Sequence, residues 1–292
     1  MFSKPLARVG HPQLIPTCPI FMLVASLCLA PIRALASPSP SLELPAPTYA
    51  DLADFAEAAP LVLRVEVRRQ AVVEPRRAGN VRPGRARLYI EARTVELLVG
   101  GAPVGQDVRF LADWPIGARG KVPSLKKLPL LIFARPVAGA AGELQLVAPD
   151  ARLVWTGAVD GRLRGVIAEL RAADAPGRVT GVRDAMYVPG TLAGAGETQI
   201  TLTTATGATA SISVTRQPGQ AANWTAAFGE VFDNAGKPPA HDTLAWYRLA
   251  CALPPRLPAG SNLSESAADR AQATIDYGFV VESLGPCERT HD

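Results

Sequence analysis

The chain has 292 residues, 48% of them hydrophobic, with 30 basic against 26 acidic groups and a formal charge of +4. Residues 1–36 hold three of those basic groups (Lys4, Arg8, Arg33) and no acid, so the remainder stands at 27 basic against 26 acidic. A near-neutral chain of this length suits one large or two modest cored domains and excludes a globally basic nucleic-acid binder.

Lys4 and Arg8 lead into an apolar stretch at residues 20–30, followed by Ala34-Leu35-Ala36. A positive start, a short apolar core and a small-x-small site form the pattern of a secretory signal, here cleaved after Ala36. The apolar stretch is too short for a bilayer span, which takes ~20 residues. A lipid anchor at Cys28 is disfavoured because Leu27 stands where a small residue is needed. The expectation is a periplasmic or secreted protein without a transmembrane segment, an uncleaved anchor being the other option. Intact-mass measurement of the exported protein should place its amino terminus at Ser37; a product that retains residues 1–36 would contradict this. Cleavage removes Cys18 and Cys28 and leaves Cys251 and Cys287, 36 positions apart and outside any CxxC motif. In an oxidising compartment that pair predicts one structural disulfide.

Residues 37–50 read as a Ser/Pro-rich leader. Thr48 is placed to cap a short helix over 49–58, with Leu52, Phe55 and Ala56 facing inward. Leu61, Leu63, Val65 and Val67 alternate with Val62, Arg64, Glu66 and Arg68, the period of a half-buried strand. An Arg-, Pro- and Gly-rich loop at 74–85 leads to a second alternating strand at 87–99, and Gly100-Gly101 turns into a third at 107–112. Residues 128–134, LPLLIFA, are nearly all apolar and predict a strand covered on both faces. A fifth strand follows at 143–148. A helix over 157–172 carries Val159, Leu163, Val166, Ile167 and Leu170 at helical spacing. Asp174 and Pro176 break that pattern, and a boundary here divides the chain into parts at 51–172 and 173–292.

The second part predicts strands at 179–188, 198–204, 211–216 and 224–232, punctuated by Pro189-Gly190, Gly207 and Pro218-Gly219. Ile200, Leu202, Ile212 and Val214 point to the core, and Thr201, Thr203, Ser211, Ser213 and Thr215 to solvent. A helix at 243–251 stops before Pro254-Pro255. The last helix starts near Ser266, with Asp269 three residues on as in a capping box, and Ala271, Ile275 and Phe279 read as one face. Gly285 and Pro286 end it. Trp114, Trp155, Trp224 and Trp246 read as core or boundary residues.

Five antiparallel strands, the first pair long and the fourth most buried, look like an OB-type barrel. The run Arg64-Val65-Glu66-Val67, the strand end Val95-Glu96-Leu97-Leu98-Val99-Gly100, a basic loop and Leu130-Leu131-Ile132-Phe133-Ala134 resemble the netrin-like modules of exported proteins. The resemblance covers residues 60–148. The fold class expected is α+β: an antiparallel five-stranded OB-like barrel, then a second antiparallel sheet with C-terminal helices. The cysteine frame of the tissue metalloproteinase inhibitors is missing, including the amino-terminal Cys that chelates the target's zinc, so protease inhibition does not carry over. As a whole the chain resembles uncharacterised secreted bacterial proteins to which no activity is attached.

Chemistry is sparse. After the signal only His241 and His291 remain, and His291 is next to last, where chains fray. A Ser-His-Asp triad would have to use His241, yet no G-x-S-x-G or H-E-x-x-H motif occurs. His241-Asp242-Thr243 reads first as the cap of the next helix. Two histidines fall short of a metal set, and no metal or cofactor is expected. Gly194-Ala195-Gly196 lacks the third glycine and following helix of a nucleotide loop. Asp150, Asp160, Asp184 and Glu197 are scattered, although a glycosidase needs only two carboxylates.

The local anomaly is arginine: Arg68, Arg69, Arg76, Arg77, Arg82, Arg85 and Arg87 crowd one hairpin, and Arg119, Lys121, Lys126 and Lys127 mark a second basic loop. Guanidinium forks suit phosphate and carboxylate, and the first hairpin loop of an OB-type barrel often meets its ligand. The candidate anion contacts are Arg76, Arg77, Arg82 and Arg85; a merely solvated loop is the plainer reading. The functional expectation is an exported, non-catalytic binding protein that meets an anionic envelope component or another envelope protein. The alternative is a periplasmic hydrolase whose site assembles only in the fold.

Overall fold

The computed structural model describes residues 45–101, 104–117, 120–229 and 237–291. The expected signal and most of the leader lie outside them. The first helix, α1 (Tyr49–Ala58), starts where the Thr48 hydroxyl accepts from the Asp51 N–H and the Asp51 carboxylate accepts from the Thr48 N–H. This reciprocal cap satisfies two otherwise orphaned donors.

Five strands then close a barrel: β1 (Leu61–Val72), β2 (Arg85–Val99), β3 (Asp107–Pro115), β4 (Pro129–Pro136) and β5 (Glu143–Leu146). Around the ring the order is β1-β2-β3-β5-β4, and β4 returns to β1. β1 pairs with β2 over most of its length and with β4 over residues 61–66. Register slips at Val62/Leu63, Arg64/Val65 and Val67/Arg69 mark the bends that let one strand serve both partners.

The expectation of an all-antiparallel barrel is corrected at one seam. β3 and β5 run parallel, with Arg109 opposite Glu143 and Phe110 opposite Leu144. The reason is parity: a closed ring of five strands cannot alternate direction at every junction, so one pair must be parallel. A short further strand, β6 (Arg152–Val154), lies on the other edge of β4. β4 is as buried as its composition requires, with residues 130–134 inaccessible to solvent. Phe55 of α1 covers it from outside, its ring centroid 5.2 Å from that of Phe133.

After helix α3 (Gly157–Arg171), capped by Thr156, the chain builds a second sheet from β7 (Val179–Pro189), β8 (Gly196–Thr204), β9 (Ala210–Arg216) and β10 (Asn223–Phe228). All of its pairs are antiparallel, in the order β10-β9-β8-β7. Ile200, Leu202, Ile212 and Val214 are buried, as their alternation requires. Helices α4 (Leu244–Ala250) and α5 (Ala267–Leu284) follow, capped by Thr243 and Ser266. None of the helices among the described residues is long and apolar enough to cross a membrane.

The face of α5 is a correction. Its buried residues are Ala273, Asp276, Tyr277, Val280 and Leu284, whereas Ala271 is exposed and Ile275 is 59% exposed. A carboxylate ordinarily marks the wet side of a helix. Asp276 is fully buried because it accepts from the Thr198 hydroxyl (2.5 Å), Arg216 Nε (2.6 Å) and the Gln272 amide (2.9 Å). Those donors offset its desolvation. Ile275→Ser should therefore shift stability by no more than about 0.5 kcal/mol in urea unfolding. A loss of about 2 kcal/mol or more would return Ile275 to the core.

Cys251, at the end of α4, is joined to Cys287, just after α5. Residues 288–291 then lie along α1. The Thr48 hydroxyl donates to the Glu288 carbonyl (2.8 Å), Arg289 Nε donates to Asp54 (2.6 Å), and Asp51 accepts from the Thr290 hydroxyl (2.7 Å), the Thr290 N–H and the His291 N–H. His291 is not frayed: its ring packs on Phe55, 5.1 Å between centroids, and its side chain is 13% exposed.

Burial works to raise the Asp51 pKa, but the Thr290 hydroxyl and the N–H groups around it outweigh burial and hold it below the usual carboxylate value. A depressed folded value gives stability that is complete above the unfolded pKa of about 3.9 and is lost as pH falls through the folded one. Acid should therefore loosen the carboxyl-terminal strap as the pH falls below about 4. Urea melts at stepped pH should show that slope in the parent and a flatter one in Asp51→Asn. Identical slopes would contradict the assignment.

Candidate functional site

The fold sorts the seven arginines of the hairpin into different tasks. Arg68 pairs with Glu66 (3.1 Å) and Arg69 faces Glu91 (3.6 Å), exposed contacts of small energetic weight. Arg87 is structural. Its Nε and Nη2 donate to the two oxygens of Asp113 (2.7 and 2.9 Å), while Nη1 and Nη2 reach the carbonyls of Ala78 (2.6 Å) and Asn80 (3.3 Å). The bond to Asp113, which is 4% exposed, holds the Arg87 pKa above its ordinary value. One guanidinium thus ties the barrel wall to the hairpin loop.

That loop holds a one-turn helix, α2 (Pro75–Ala78), which composition did not announce; Pro75 sits at its first turn, where a missing N–H does no harm. Of the four candidate anion contacts, Arg76 and Arg77 stand exposed on α2. Arg82 is exposed and already has a partner. Arg85 opens β2 with its side chain 26% exposed and Nη1 3.9 Å from Asp150. Of the four, Arg85 lines the cleft described next. Arg119 of the second basic loop lies outside the described residues.

Between the hairpin loop and the segment after β3 lies a cleft of about 680 Å³. The ends of β1 and β2 form its floor. Val72, Val73, Pro75, Val81, Ile116 and Val122 give it apolar walls, and Arg85, Arg87 and Lys121 are its charged lining, with no acidic side chain among the described residues that line it. Its walls are held in place. The Ile116 N–H donates to the Gly84 carbonyl (2.8 Å). The Gln70 side chain donates to the Pro123 carbonyl (2.9 Å) and accepts from the Leu125 N–H (2.5 Å). Sequence periodicity missed the apolar lining because these residues belong to four separate segments, two of them loops.

Behind Arg85 is a buried charge cluster. Asp150, 4% exposed, sits between Arg85 and His291 Nδ1 (3.7 Å), both too distant for a regular hydrogen bond. Burial raises its pKa, but the influence of His291, and then of Arg85, prevails and holds it low. Arg152 lies over the Trp114 ring at 3.8 Å and donates to the Asp113 carbonyl (2.9 Å). Burial pulls it down to about 10, still protonated at neutral pH.

The hydrolase alternative finds a concrete locus in a pocket of about 350 Å³ lined by His241, Asp242, Glu288, Arg162, Trp246 and Tyr49. His241 packs on Trp246 (4.1 Å between centroids) and contacts Asp242 (3.2 Å). Thr243, not Asp242, caps α4. Two carboxylates and a histidine do meet here. Both carboxylates are exposed. The lining hydroxyls are committed: Thr48 to the Glu288 carbonyl and Tyr49 to Glu169 (2.9 Å). Elsewhere Asp160 bonds Arg164, Asp184 bonds Arg183, and Glu197 accepts from Ser213 and Gln199. No group of three or more His, Cys, Asp or Glu suited to a metal occurs among the described residues. Gly196 is a packing glycine, since a Cβ there would collide with the Tyr187 ring.

No protein-family model matches the chain, and no curated protein matches it.

Proposed function

We propose that this is an exported, non-catalytic binding protein of the cell envelope, in which an OB-type barrel within residues 51–172 receives an anionic ligand at the cleft beside its first hairpin loop. The observation that carries the reading is the cleft's charge: Arg85, Arg87 and Lys121 line it, with no acidic side chain among the described residues that line it, on a chain that is otherwise close to neutral. Arg87 is neutralised by Asp113, so the charge free to meet a ligand comes from Lys121, from Arg85 at its long distance from Asp150, and from Arg76 and Arg77 nearby. The loop between the first two strands is a common ligand contact in OB-type barrels.

The test is cosedimentation of the mature protein with phosphatidylglycerol vesicles at low and high salt. Binding should weaken with salt, because exposed charges are screened over ~8–10 Å. The triple variant Arg76→Glu, Arg77→Glu, Lys121→Glu should lose it while its unfolding midpoint stays near the parent's. Arg85 is best left out of the reversal, because a carboxylate there would face buried Asp150. Equal binding by parent and variant would leave the loop as a solvated hairpin.

A hydrolase centred on His241, Asp242 and Glu288 is the second reading, supported by their meeting in one pocket. Turnover of envelope polysaccharide that Glu288→Gln abolishes would favour it.

A further inference from the structure

We infer that the ligand of this cleft is a single-chain amphipathic anion, a molecule with one acyl-like chain and a phosphate or carboxylate head. This inference rests on the reading of the cleft as the ligand site and narrows its chemistry. A site for a fully hydrated anion, such as inorganic phosphate or a polysaccharide, is lined by donors and leaves little apolar surface to water. Here the walls are aliphatic. Two of the exposed large hydrophobic side chains among the described residues, Val72 (59% exposed) and Ile116 (38% exposed), line the cleft. Burying such surface favours an occupant that carries apolar area of its own.

The charged end is equally directed. Arg87 has its donors spent on Asp113 and two carbonyls, so it shapes the site without offering itself to a ligand. Arg85, at the start of β2, keeps its guanidinium 3.9 Å from Asp150, and Lys121 lines the same cleft. Two cations beside an aliphatic trough, with no carboxylate among the described residues that line it, match a head of one or two negative charges on a hydrocarbon chain. A cationic amphiphile would meet like charge and a neutral alcohol would leave the cations unused. The volume, about 680 Å³, lies within the range of small-molecule sites rather than that of a macromolecular groove.

The experiment is isothermal titration of the mature protein with decyl phosphate below its micellar concentration, beside inorganic phosphate, decanol and decyltrimethylammonium. Decyl phosphate should bind roughly tenfold or more tightly than each of the other three. Ile116→Asp should reduce decyl phosphate affinity by about tenfold or more and leave phosphate unchanged; Val72→Asp, at a more exposed position, serves the same purpose if the first variant does not fold. Phosphate binding as tightly as decyl phosphate would overturn the inference and leave the anion reading intact. Decanol binding as tightly as decyl phosphate would remove the charge from both. Unchanged decyl phosphate affinity in the folded wall variants would move the amphiphile out of this cleft, and no binding by any probe would end both readings.

Discussion

Replacing Arg87 by alanine should destabilise the protein by about 3–5 kcal/mol and release the hairpin loop from the barrel. The magnitude follows from what is left behind. Asp113 is 4% exposed and would lose both of its charge-assisted donors in a place water barely reaches. The carbonyls of Ala78 and Asn80 would lose theirs as well, and they are the points where the loop is fastened. Arg87→Lys should recover little, since a point-like ammonium cannot span a carboxylate and two carbonyls at once. The double variant Arg87→Ala, Asp113→Ala should be more stable than the single one, because the unpaired buried charge goes with it. Urea unfolding gives the energies, and hydrogen exchange across residues 74–84 reports the loop. A loss under about 1 kcal/mol with the loop still protected would mean that the ion pair is incidental.

The second large effect belongs to the disulfide. Cys251→Ser with Cys287→Ser should cost about 3–4 kcal/mol, the loop-closure entropy of a 36-residue separation in the unfolded chain. The loss should concentrate at the carboxyl end. With the bond present, the strap at 288–291 leaves a fixed point beside α4 and meets Asp51 and Asp54 along α1. Without it, each of those hydrogen bonds must order a longer free segment, and single bonds contribute only about 1 kcal/mol. Exchange at the Thr290 and His291 amides should rise more than in the barrel. Thiol labelling of the unfolded, unreduced parent should find no free cysteine; two labels per chain would contradict the bond itself.

Much of the architecture was legible because its signals are local. Alternation in 61–67 and 198–216, the apolar run 128–134 and the caps Thr48 and Ser266 each define an element within a few residues. What escaped depends on partners far away in the chain. β6 hides behind Arg152, whose burial makes sense only with the Trp114 ring and the Asp113 carbonyl beside it. The true face of α5 hides behind Asp276, which Thr198 and Arg216 satisfy from the neighbouring sheet. The parallel seam between β3 and β5 follows from closure, a property of the ring and of no single strand. His291 looked free to fray because the backbone donors of the strap have their acceptor, Asp51, 240 positions away.

The candidate site divides in the same way. Arginine crowding in the hairpin could be read directly, but its meaning could not. Arg87 has the composition of a ligand contact and the geometry of a strut. Arg85 takes its character from Asp150, which follows β5. The apolar half of the cleft comes from Val72, Val81, Ile116 and Val122, none of which is periodic with another. Charge density is a local property of sequence, whereas a trough between two loops is not.

Where a ligand lands decides the seat of function most directly. Hydrogen exchange of the protein with and without decyl phosphate should show protection confined to residues 70–87, 116–117 and 120–122, where the described residues that line the cleft lie. Protection centred instead on residues 241–246 and 286–288 would place the site in the His241 pocket and contradict the cleft as the seat of function.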